Sequence, residues 1–298
     1  MNYIVIQCYG NEGVFHECGH ALLSLSRLYG PDDVGGLEVW IYTDNPAWFQ
    51  GFKGCYLPLQ FRVIDSDLIR QWRGTIDFVH RIKLEILRDF TQNRHGNILY
   101  TDTDVVFTHR LEHVLEQITE GKFFMHICEG VVSSNSNPLF TKLNNFLQEE
   151  LPVKVNGKPI QDLAMWNAGV LGFNTSLRYV LDDALTFTDT EYPKFPKHII
   201  EQFACSVGFQ QLGDVKAAAP YIIHYWNLKE ARVVLASFFD HYKNSPWLEL
   251  VKYSALIQIP ALLQEKSNFY QNRSVTGKLR KKQWQPATCD WKEVARQV

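Results

Sequence analysis

The amino-terminal end of the sequence carries the pattern that most restricts the fold. The spacing of its apolar residues predicts a strand over residues 3–8, an amphipathic helix over 15–29 and a second strand over 37–42. A strand, helix and strand of this length make a right-handed crossover between parallel strands. The sequence therefore predicts an α/β fold with a parallel sheet, whose ligand-binding edge lies at the carboxyl ends of the strands.

A second stretch, residues 97–107, places two carboxylates at that edge. Its sequence is NILYTDTDVVF, in which Asp102 and Asp104 lie between two apolar runs. An extended backbone directs residues i and i+2 to the same side, so both carboxylates face one point. Carboxylates this close repel each other unless a hard cation such as Mg²⁺ or Mn²⁺ lies between them. We interpret the pair as a metal site; a turn or a helix cap is the alternative.

The same spacing recurs at Asp65 and Asp67, where it predicts a different role. Leu68, Ile69 and Trp72 follow this pair at helical intervals. We therefore expect Asp65 to cap a helix, and Asp67 to lie in its first turn near the positive end of the helix dipole.

Composition excludes several classes of protein. The chain has 298 residues, of which 46% are hydrophobic, enough for a large α/β core. A net charge of -2 does not favour nucleic-acid binding as the main activity. The six cysteines form no Cys-x-x-Cys pair, so neither a zinc ribbon nor a disulfide framework is predicted. A strand directly after Met1 and the lack of a membrane-length apolar run predict a cytoplasmic protein.

A competing metal motif lies in the first predicted helix. The segment His16-Glu17-Cys18-Gly19-His20 matches the His-Glu-x-x-His pattern of zinc proteases, whose histidines share one helix face. The extended form of that motif is absent, because Leu23 and Ser26 stand where glycine and histidine would follow. Gly19 also weakens the helix that would hold the metal. The alternative is a cluster at a helix start, with Glu17 facing the positive end of the helix.

Three later segments carry groups suited to binding. Asn167 and Gly169 lie inside the apolar run MWNAGVLGFN at 165–174, which predicts either backbone close to a ligand or a bulged strand. A helix within residues 196–208 carries Glu201 and Gln202. The apolar run over 217–225 predicts another strand that ends near His224, a position suited to a structural histidine or to a ligand.

The carboxyl-terminal end predicts helices and a basic surface. From Pro246 to Val298 the sequence is aromatic and helical in pattern. Its basic residues are typical of a solvated face, or of a weak peripheral contact with anionic lipid at the inner face of a membrane; they are Arg273, Lys278, Arg280, Lys281 and Lys282. We predict a catalytic domain over residues 1–232 and a helical extension over 233–298 packed on it.

Five short segments share their order and spacing with a known family. They are RIKL at 81–84, ILYTDTDVV at 98–106, WNAGV at 166–170, EQ at 201–202 and IIHY at 222–225. In these segments the chain resembles the GT-A glycosyltransferases of the glycogenin and lipopolysaccharide galactosyltransferase type, over roughly residues 3–230. The resemblance implies a Rossmann-like, mixed and mostly parallel sheet flanked by helices. It also implies a UDP-sugar donor, a Mn²⁺ or Mg²⁺ ion, and transfer of a hexose or pentose with retention at the anomeric carbon.

The resemblance also implies roles for individual residues. The metal ligands would be Asp102, Asp104 and His224. Lys83 would neutralise donor phosphate or orient the sugar, and Gln202, next to Glu201, would lie beneath the reacting carbon. The remaining donor-binding residues would be Tyr9, Thr103, Asn167, Ala168, Gly169 and Lys229.

Two departures from the family pattern affect this assignment. Glu201 stands where the family has aspartate. Asn227 replaces a glycine after the metal histidine, and Lys229 falls one residue early for a phosphate-binding lysine. The acceptor, which the sequence does not identify, would be a glycan, a lipid-linked sugar or a protein. A non-catalytic nucleotide-sugar binding protein and a zinc hydrolase that uses His16, Glu17 and His20 are the alternatives.

Overall fold

The computed structural model describes residues 1–272, 283–287 and 291. The strands of this part are β1 Asn2–Cys8, β2 Leu37–Thr43, β3 Leu59–Val63, β4 Asn97–Thr101, β5 Val105–Phe107, β6 Phe123–Met125, β7 Cys128–Val131, β8 Lys154–Val155, β9 Lys158–Pro159, β10 Ala164–Trp166, β11 Val170–Asn174, β12 Val215–Ala217 and β13 Ile222–His224. The helices are α1 Glu12–Leu28, α2 Ser66–Trp72, α3 Arg81–Thr91, α4 Glu112–Thr119, α5 Pro138–Glu150, α6 Tyr179–Glu191, α7 Ile199–Leu212, α8 Ala231–His241, α9 Trp247–Ser254 and α10 Ile259–Gln271.

The largest sheet in the described residues has seven strands, in the order β12-β6-β11-β4-β1-β2-β3. Strands β4, β1, β2 and β3 are parallel, while β11 runs antiparallel between β4 and β6. This mixed, mostly parallel sheet confirms the predicted α/β class and the parallel pairing of β1 with β2. The parallel strands end at one edge, where Cys8, Thr43 and Thr101 are followed by loop residues.

Two short antiparallel ribbons accompany the main sheet. Strand β5 pairs with β13, which puts Val105 opposite His224, and β7 pairs with β10. The single strand expected over 217–225 is wrong, because a turn separates β12 from β13. In that turn the Tyr221 amide donates to the Ala218 carbonyl at 2.9 Å. As a result β13 leaves the main sheet and carries His224 next to the Asp102 loop.

Helices cover the sheet on two sides. One buried cluster joins α1 and β1 to the later helices through Leu22, Phe238 and Trp247. The other joins β4 and β11 to α3, α6 and α7. The predicted domain boundary at residue 232 falls within the first turn of α8, and α9 and α10 follow it. The division into two domains stays a prediction. The basic stretch from Arg273 to Lys282 lies outside the described residues.

Local details of the helices match their sequences. Asp65 caps α2 by accepting a hydrogen bond from the Leu68 amide at 2.8 Å, and Asp67 lies in the first turn, as predicted. The first helix begins at Glu12 rather than near Phe15, so Glu17 lies beyond its first turn and not at its positive end. Among the described residues, no helix has the length and apolar character needed to span a bilayer.

Candidate metal and donor site

A cavity of about 1040 Å³ opens at the carboxyl edge of the parallel strands. Its volume is at the upper end of the usual range for small-molecule sites. The residues to which the sequence assigned catalytic, donor-binding or metal-binding roles all line this cavity: Tyr9, Lys83, Asp102, Thr103, Asp104, Asn167, Ala168, Gly169, Glu201, Gln202, His224 and Lys229. The fold therefore brings together residues from distant parts of the chain, while their individual roles stay predictions.

The side chains of Asp102, Asp104 and His224 converge on one point and form the candidate metal cluster. One nitrogen or oxygen atom from each of them lies within 4.8 Å of the others. Among the described residues, no other group of three or more His, Cys, Asp or Glu side chains lies close enough together to hold a metal ion. His224 Nε2 is 3.2 Å from Asp104 Oδ1 and 3.7 Å from Asp102 Oδ2. Burial would raise the pKa of Asp104, but His224 and Lys229 hold that pKa well below its usual range. Asp104 is therefore an ionised, buried carboxylate whose oxygens could hold a metal ion.

The hydrogen bonds around Asn167 determine which nitrogen of His224 faces the carboxylates. Glu129 only accepts hydrogen bonds, so Asn167 Nδ2 must be the atom that donates to Glu129 Oε1 at 3.0 Å. The amide oxygen of Asn167 then accepts from the Gly169 amide and from His224 Nδ1, both at 3.0 Å. Because Nδ1 donates to Asn167, Nε2 is the nitrogen that faces Asp102 and Asp104, and its lone pair is the one that a metal ion would use.

Gly169 leaves the space that the His224 ring occupies. A Cβ atom at position 169 would overlap the ring atoms of His224. The Gly169 carbonyl also accepts a hydrogen bond from the Asp102 amide at 2.9 Å. The glycine of the Asn-Ala-Gly sequence is therefore required by the close approach of its backbone to the His224 ring. The pairing of β10 with β7 also shifts register between Met165 and Trp166, so the run contains an irregular strand as well.

Lys83 lies on the cavity wall next to Asp102. Its Nζ donates to the Ala168 carbonyl at 2.7 Å and lies 3.4 Å from Asp102 Oδ1 and 3.8 Å from Glu201 Oε1. Burial alone would lower the pKa of Lys83, but the carboxylates of Asp102 and Glu201 raise it above its ordinary value. Lys83 is therefore a fixed positive charge at neutral pH.

Glu201 and Gln202 leave α7 in different directions. Glu201 is fully buried beside Lys83, and burial raises its pKa to about 7, although Lys83 opposes this shift. Gln202 Nε2 donates to Glu129 Oε2 at 2.8 Å, and its Oε1 accepts from the Ala168 amide at 3.4 Å. Both ends of the Gln202 amide are thus fixed at the cavity.

A further group of charges lies between the metal cluster and α8. Lys229 Nζ is 2.6 Å from Asp104 Oδ2 and 4.0 Å from Glu17 Oε1. Glu17 is buried and accepts hydrogen bonds from Arg232 and from the hydroxyl of Thr103, the latter at 3.3 Å. Thr103 therefore contacts α1 through its hydroxyl rather than presenting it to the metal cluster.

Comparison with known proteins supports a fold assignment. No protein-family model matches the sequence, and no curated protein matches it. The structure is similar to that of the galactosyltransferase LgtC in complex with donor and acceptor sugar analogues. The identity is 13%, the TM-score is 0.50, and the match covers 73% of this chain and 74% of LgtC. The glycosyltransferase GlyE of Streptococcus pneumoniae matches with 14% identity and a TM-score of 0.50, over 86% of this chain and 64% of GlyE.

The chain has the GT-A glycosyltransferase fold. The predicted fold class is therefore confirmed. The finer resemblance to the glycogenin and lipopolysaccharide galactosyltransferase type stays a prediction, because identities this low establish only the fold. The cavity lies where open α/β sheets bind ligands, at the carboxyl ends of the strands.

The first turn of the GT-A sheet borders the same cavity. Gly10 has φ +100°, a conformation that glycine adopts without strain, and its amide donates to Asp44 Oδ2 at 3.1 Å. This bond joins the loops after β1 and β2. Burial raises the pKa of the neighbouring Tyr9 to about 12, so its hydroxyl stays protonated at neutral pH.

The geometry gives the zinc-protease pattern no support. His20 is fully buried, neither ring nitrogen hydrogen-bonds to the described residues, and burial lowers its pKa to about 3. The ring of His16 stacks on Phe239 with 5.3 Å between centroids. Glu17 is engaged by Arg232 and Thr103. Within the described residues, no third metal-binding side chain joins His16 and His20 in a cluster.

The sequence interpretation missed several residues of the cavity, among them two with charged side chains, Glu129 and Arg232. Glu129 joins the amides of Asn167 and Gln202, and Arg232 binds Glu17. An isolated acid in the apolar segment CEGVV at 128–132 was the available signal for Glu129. Arg232 had no such signal, because its partner lies 215 positions earlier in the chain.

Proposed function

We propose that the protein is a metal-dependent glycosyltransferase that moves a hexose or pentose from a UDP-sugar to an acceptor with retention of configuration. The convergence of Asp102, Asp104, His224 and Lys83 on one cavity of a GT-A fold carries this proposal. Two carboxylates and a neutral imidazole are suitable ligands for Mn²⁺ or Mg²⁺ when phosphate oxygens complete the coordination.

The metal cluster fits a divalent ion because its nitrogen ligand is prepared for one. His224 Nε2 is buried and lacks a well-formed hydrogen bond to the described residues, while Nδ1 is held by Asn167. Asp102, Asp104 and His224 would hold the ion. When bound, the ion would supply positive charge that stabilises a leaving diphosphate.

Positively charged side chains of the protein would also stabilise the negative charge on the leaving diphosphate. Cleavage of the bond between sugar and phosphate leaves negative charge on the diphosphate. Lys83 and Lys229 flank the cluster, and Lys83 is held in place by the Ala168 carbonyl. Charges fixed before the reaction stabilise such a leaving group without reorganisation.

The part of the cavity around Asn167 and Gln202 would hold the sugar. Asn167, Gln202 and Glu129 form one hydrogen-bonded group there, so their polar atoms are fixed in orientation. The reacting carbon becomes oxocarbenium-like, and a nearby amide or carboxylate oxygen steadies it. Attack by the acceptor on the same face, assisted by the leaving phosphate, is the working mechanism for retention. The acceptor would be a glycan, a lipid-linked sugar or a protein.

Turnover by an Asp104 variant tests this function. UDP release from a panel of UDP-sugars, with and without an acceptor sugar, should require Mn²⁺ or Mg²⁺ and stop when EDTA is added. Asp104→Asn removes a ligand charge and should reduce turnover by at least about 100-fold. Asp67→Asn alters the exposed acid of the other Asp-x-Asp pair and should leave turnover unchanged.

Two results would contradict the proposal. A fully active, metal-dependent Asp104→Asn variant would remove Asp104 from the site. UDP binding without turnover of any donor would instead favour a non-catalytic nucleotide-sugar binding protein.

A further inference from the structure

We propose that Arg232 binds the diphosphate of the donor and that Glu17 is the residue that positions it. This inference rests on the proposed function, because it concerns the same cavity and the same nucleotide. Glu17 is the acid of the His-Glu-x-x-His pattern. Here its role is to hold Arg232 in place, and not to take part in zinc chemistry.

Arg232 and Glu17 form a two-point ion pair. Arg232 Nε is 2.8 Å from Glu17 Oε1, and Arg232 Nη2 is 2.9 Å from Glu17 Oε2. The side chain of Glu17 is only 1% exposed, whereas that of Arg232 is 30% exposed and lines the cavity. The pair therefore holds the guanidinium plane in one orientation at the cavity wall.

The remaining donors of Arg232 are available to a ligand. Its Nη1 group makes no hydrogen bond to any residue that the structure describes, while Nε and Nη2 are used by Glu17. A guanidinium binds phosphate oxygens through several N–H groups in a fixed plane. An arginine already held on one side by a buried carboxylate loses little conformational freedom when phosphate binds on the other.

Neighbouring residues are arranged around this pair. A Cβ atom on Gly13 would lie 2.7 Å from Arg232 Cδ, so the glycine in the first turn of α1 leaves room for the arginine stem. Thr103, which lies between Asp102 and Asp104 in the chain, donates to the same carboxylate as Arg232. Glu17 thus connects Arg232 with the loop that carries Asp102 and Asp104.

Arg232 and Lys229 are each paired with a carboxylate, so a bound metal ion would add the net positive charge that a diphosphate needs. Lys229 Nζ lies 4.0 Å from Glu17 and 2.6 Å from Asp104, so two cations face the cavity on this side. A diphosphate bound between them and the metal cluster would contact both. In the family pattern the phosphate-binding lysine stands one residue later than Lys229. Arg232 would supply a second phosphate contact that makes up for this shift.

A purely structural role is the competing explanation. A buried carboxylate such as Glu17 needs a partner, and removal of that partner alone destabilises a protein. The two roles differ in their consequences for ligand binding. A structural counter-ion would affect UDP only through the fold, whereas a phosphate ligand would affect UDP in a folded protein and leave uridine binding unchanged.

Calorimetric titration of the full chain with UDP and with uridine, both with Mn²⁺ present, separates these roles. Arg232→Ala should weaken UDP binding by about 10-fold to 100-fold, the value of one or two charged hydrogen bonds, and leave uridine binding unchanged. Arg232→Lys should recover part of the loss, because it restores the charge. Arg70→Ala, at an exposed arginine that forms an ion pair with Asp67, is the control and should bind UDP as the wild type does.

A double variant excludes a folding artefact. Glu17→Gln with Arg232→Gln removes both charges, so no buried carboxylate is left unpaired. We expect it to unfold near the wild-type temperature and still to bind UDP about 10-fold or more weakly. Recovery of wild-type UDP affinity in this variant, or unchanged affinity in folded Arg232→Ala, would overturn the inference while the proposed function stands. A wild-type protein that binds no UDP would instead overturn the proposed function, and this inference with it.

Discussion

At the scale of residues, the site depends on groups that can play only one hydrogen-bonding role. The carboxylate of Glu129 cannot donate, which orients the amide of Asn167, and that amide in turn orients the ring of His224. Each step is a contact between neighbours, yet the last step determines which nitrogen meets Asp102 and Asp104. Glu129 is therefore expected to influence metal binding without contacting the metal.

Gly169→Ala tests the close approach of the backbone to His224. The added methyl group would overlap the imidazole ring, so the ring must move away from the carboxylates. We expect the free energy of unfolding to fall by about 1–3 kcal/mol, and the affinity for Mn²⁺, measured by titration calorimetry, to fall at least about 10-fold.

The control for this substitution is Gly51→Ala. A Cβ atom at position 51 meets no atom within 4 Å, so this variant should bind Mn²⁺ and unfold as the wild type does. A Gly169→Ala protein with wild-type Mn²⁺ affinity would show that His224 is not a ligand in the position described.

At the scale of elements, α3 and α7 place Lys83 and Glu201 side by side. The raised pKa of Glu201, about 7 against an ordinary value of 4.5, means that the folded protein keeps this proton longer than the unfolded chain does. The resulting stabilisation is fully present below about pH 4.5 and is lost as the pH rises through about 7. The free energy of unfolding should therefore fall across that window.

Glu201→Gln should remove this dependence on pH. The glutamine stays neutral, so above pH 7 the variant should be more stable than the wild type, by at most about 3 kcal/mol. Urea unfolding from pH 4 to pH 8 measures the difference. Glu116→Gln, at an exposed position on α4, is the control and should follow the wild-type curve. The assigned pKa would be contradicted if the free energies of unfolding of the wild type and of Glu201→Gln differed by the same amount at every pH.

The sequence predicted the elements whose signals are local. Alternating and helical spacing predicted β1, α1 and β2, and the side chain of Asp65 predicted the start of α2. Strand β13 was misjudged because the apolar run over 217–225 hides a turn at Pro220. Whether such a run stays in one sheet depends on its partners, which here are distant in the chain.

The same limit applies to the site. Asp102, Asp104 and His224, like Asn167 and Gln202, lie on motifs with a recognisable order, so their joint position at one cavity could be predicted. Glu129 and Arg232 act through partners 38 and 215 positions away, and no local pattern encodes those contacts. Their positions became visible only once the chain was folded.

At the scale of the whole molecule, the cavity connects the sheet with the helices that follow it. Arg232 lies in the first turn of α8, and Phe238 of the same helix is buried in the cluster that contains α1. The segment after residue 231 thus contributes both to the core and to the cavity wall. We infer that the helical extension supports the site rather than forming a separate unit.

Thermal unfolding of the full-length protein with UDP, in the presence and absence of Mn²⁺, tests the central claim most directly. A ligand that binds only the folded state stabilises it by about 3 kcal/mol at 100 times its Kd. We predict that UDP raises the midpoint only when Mn²⁺ is present and that Asp104→Asn abolishes the shift. If UDP has no effect even with Mn²⁺, the account is contradicted. A shift caused by Zn²⁺ alone that His16→Ala removes would move the metal site to His16 and His20.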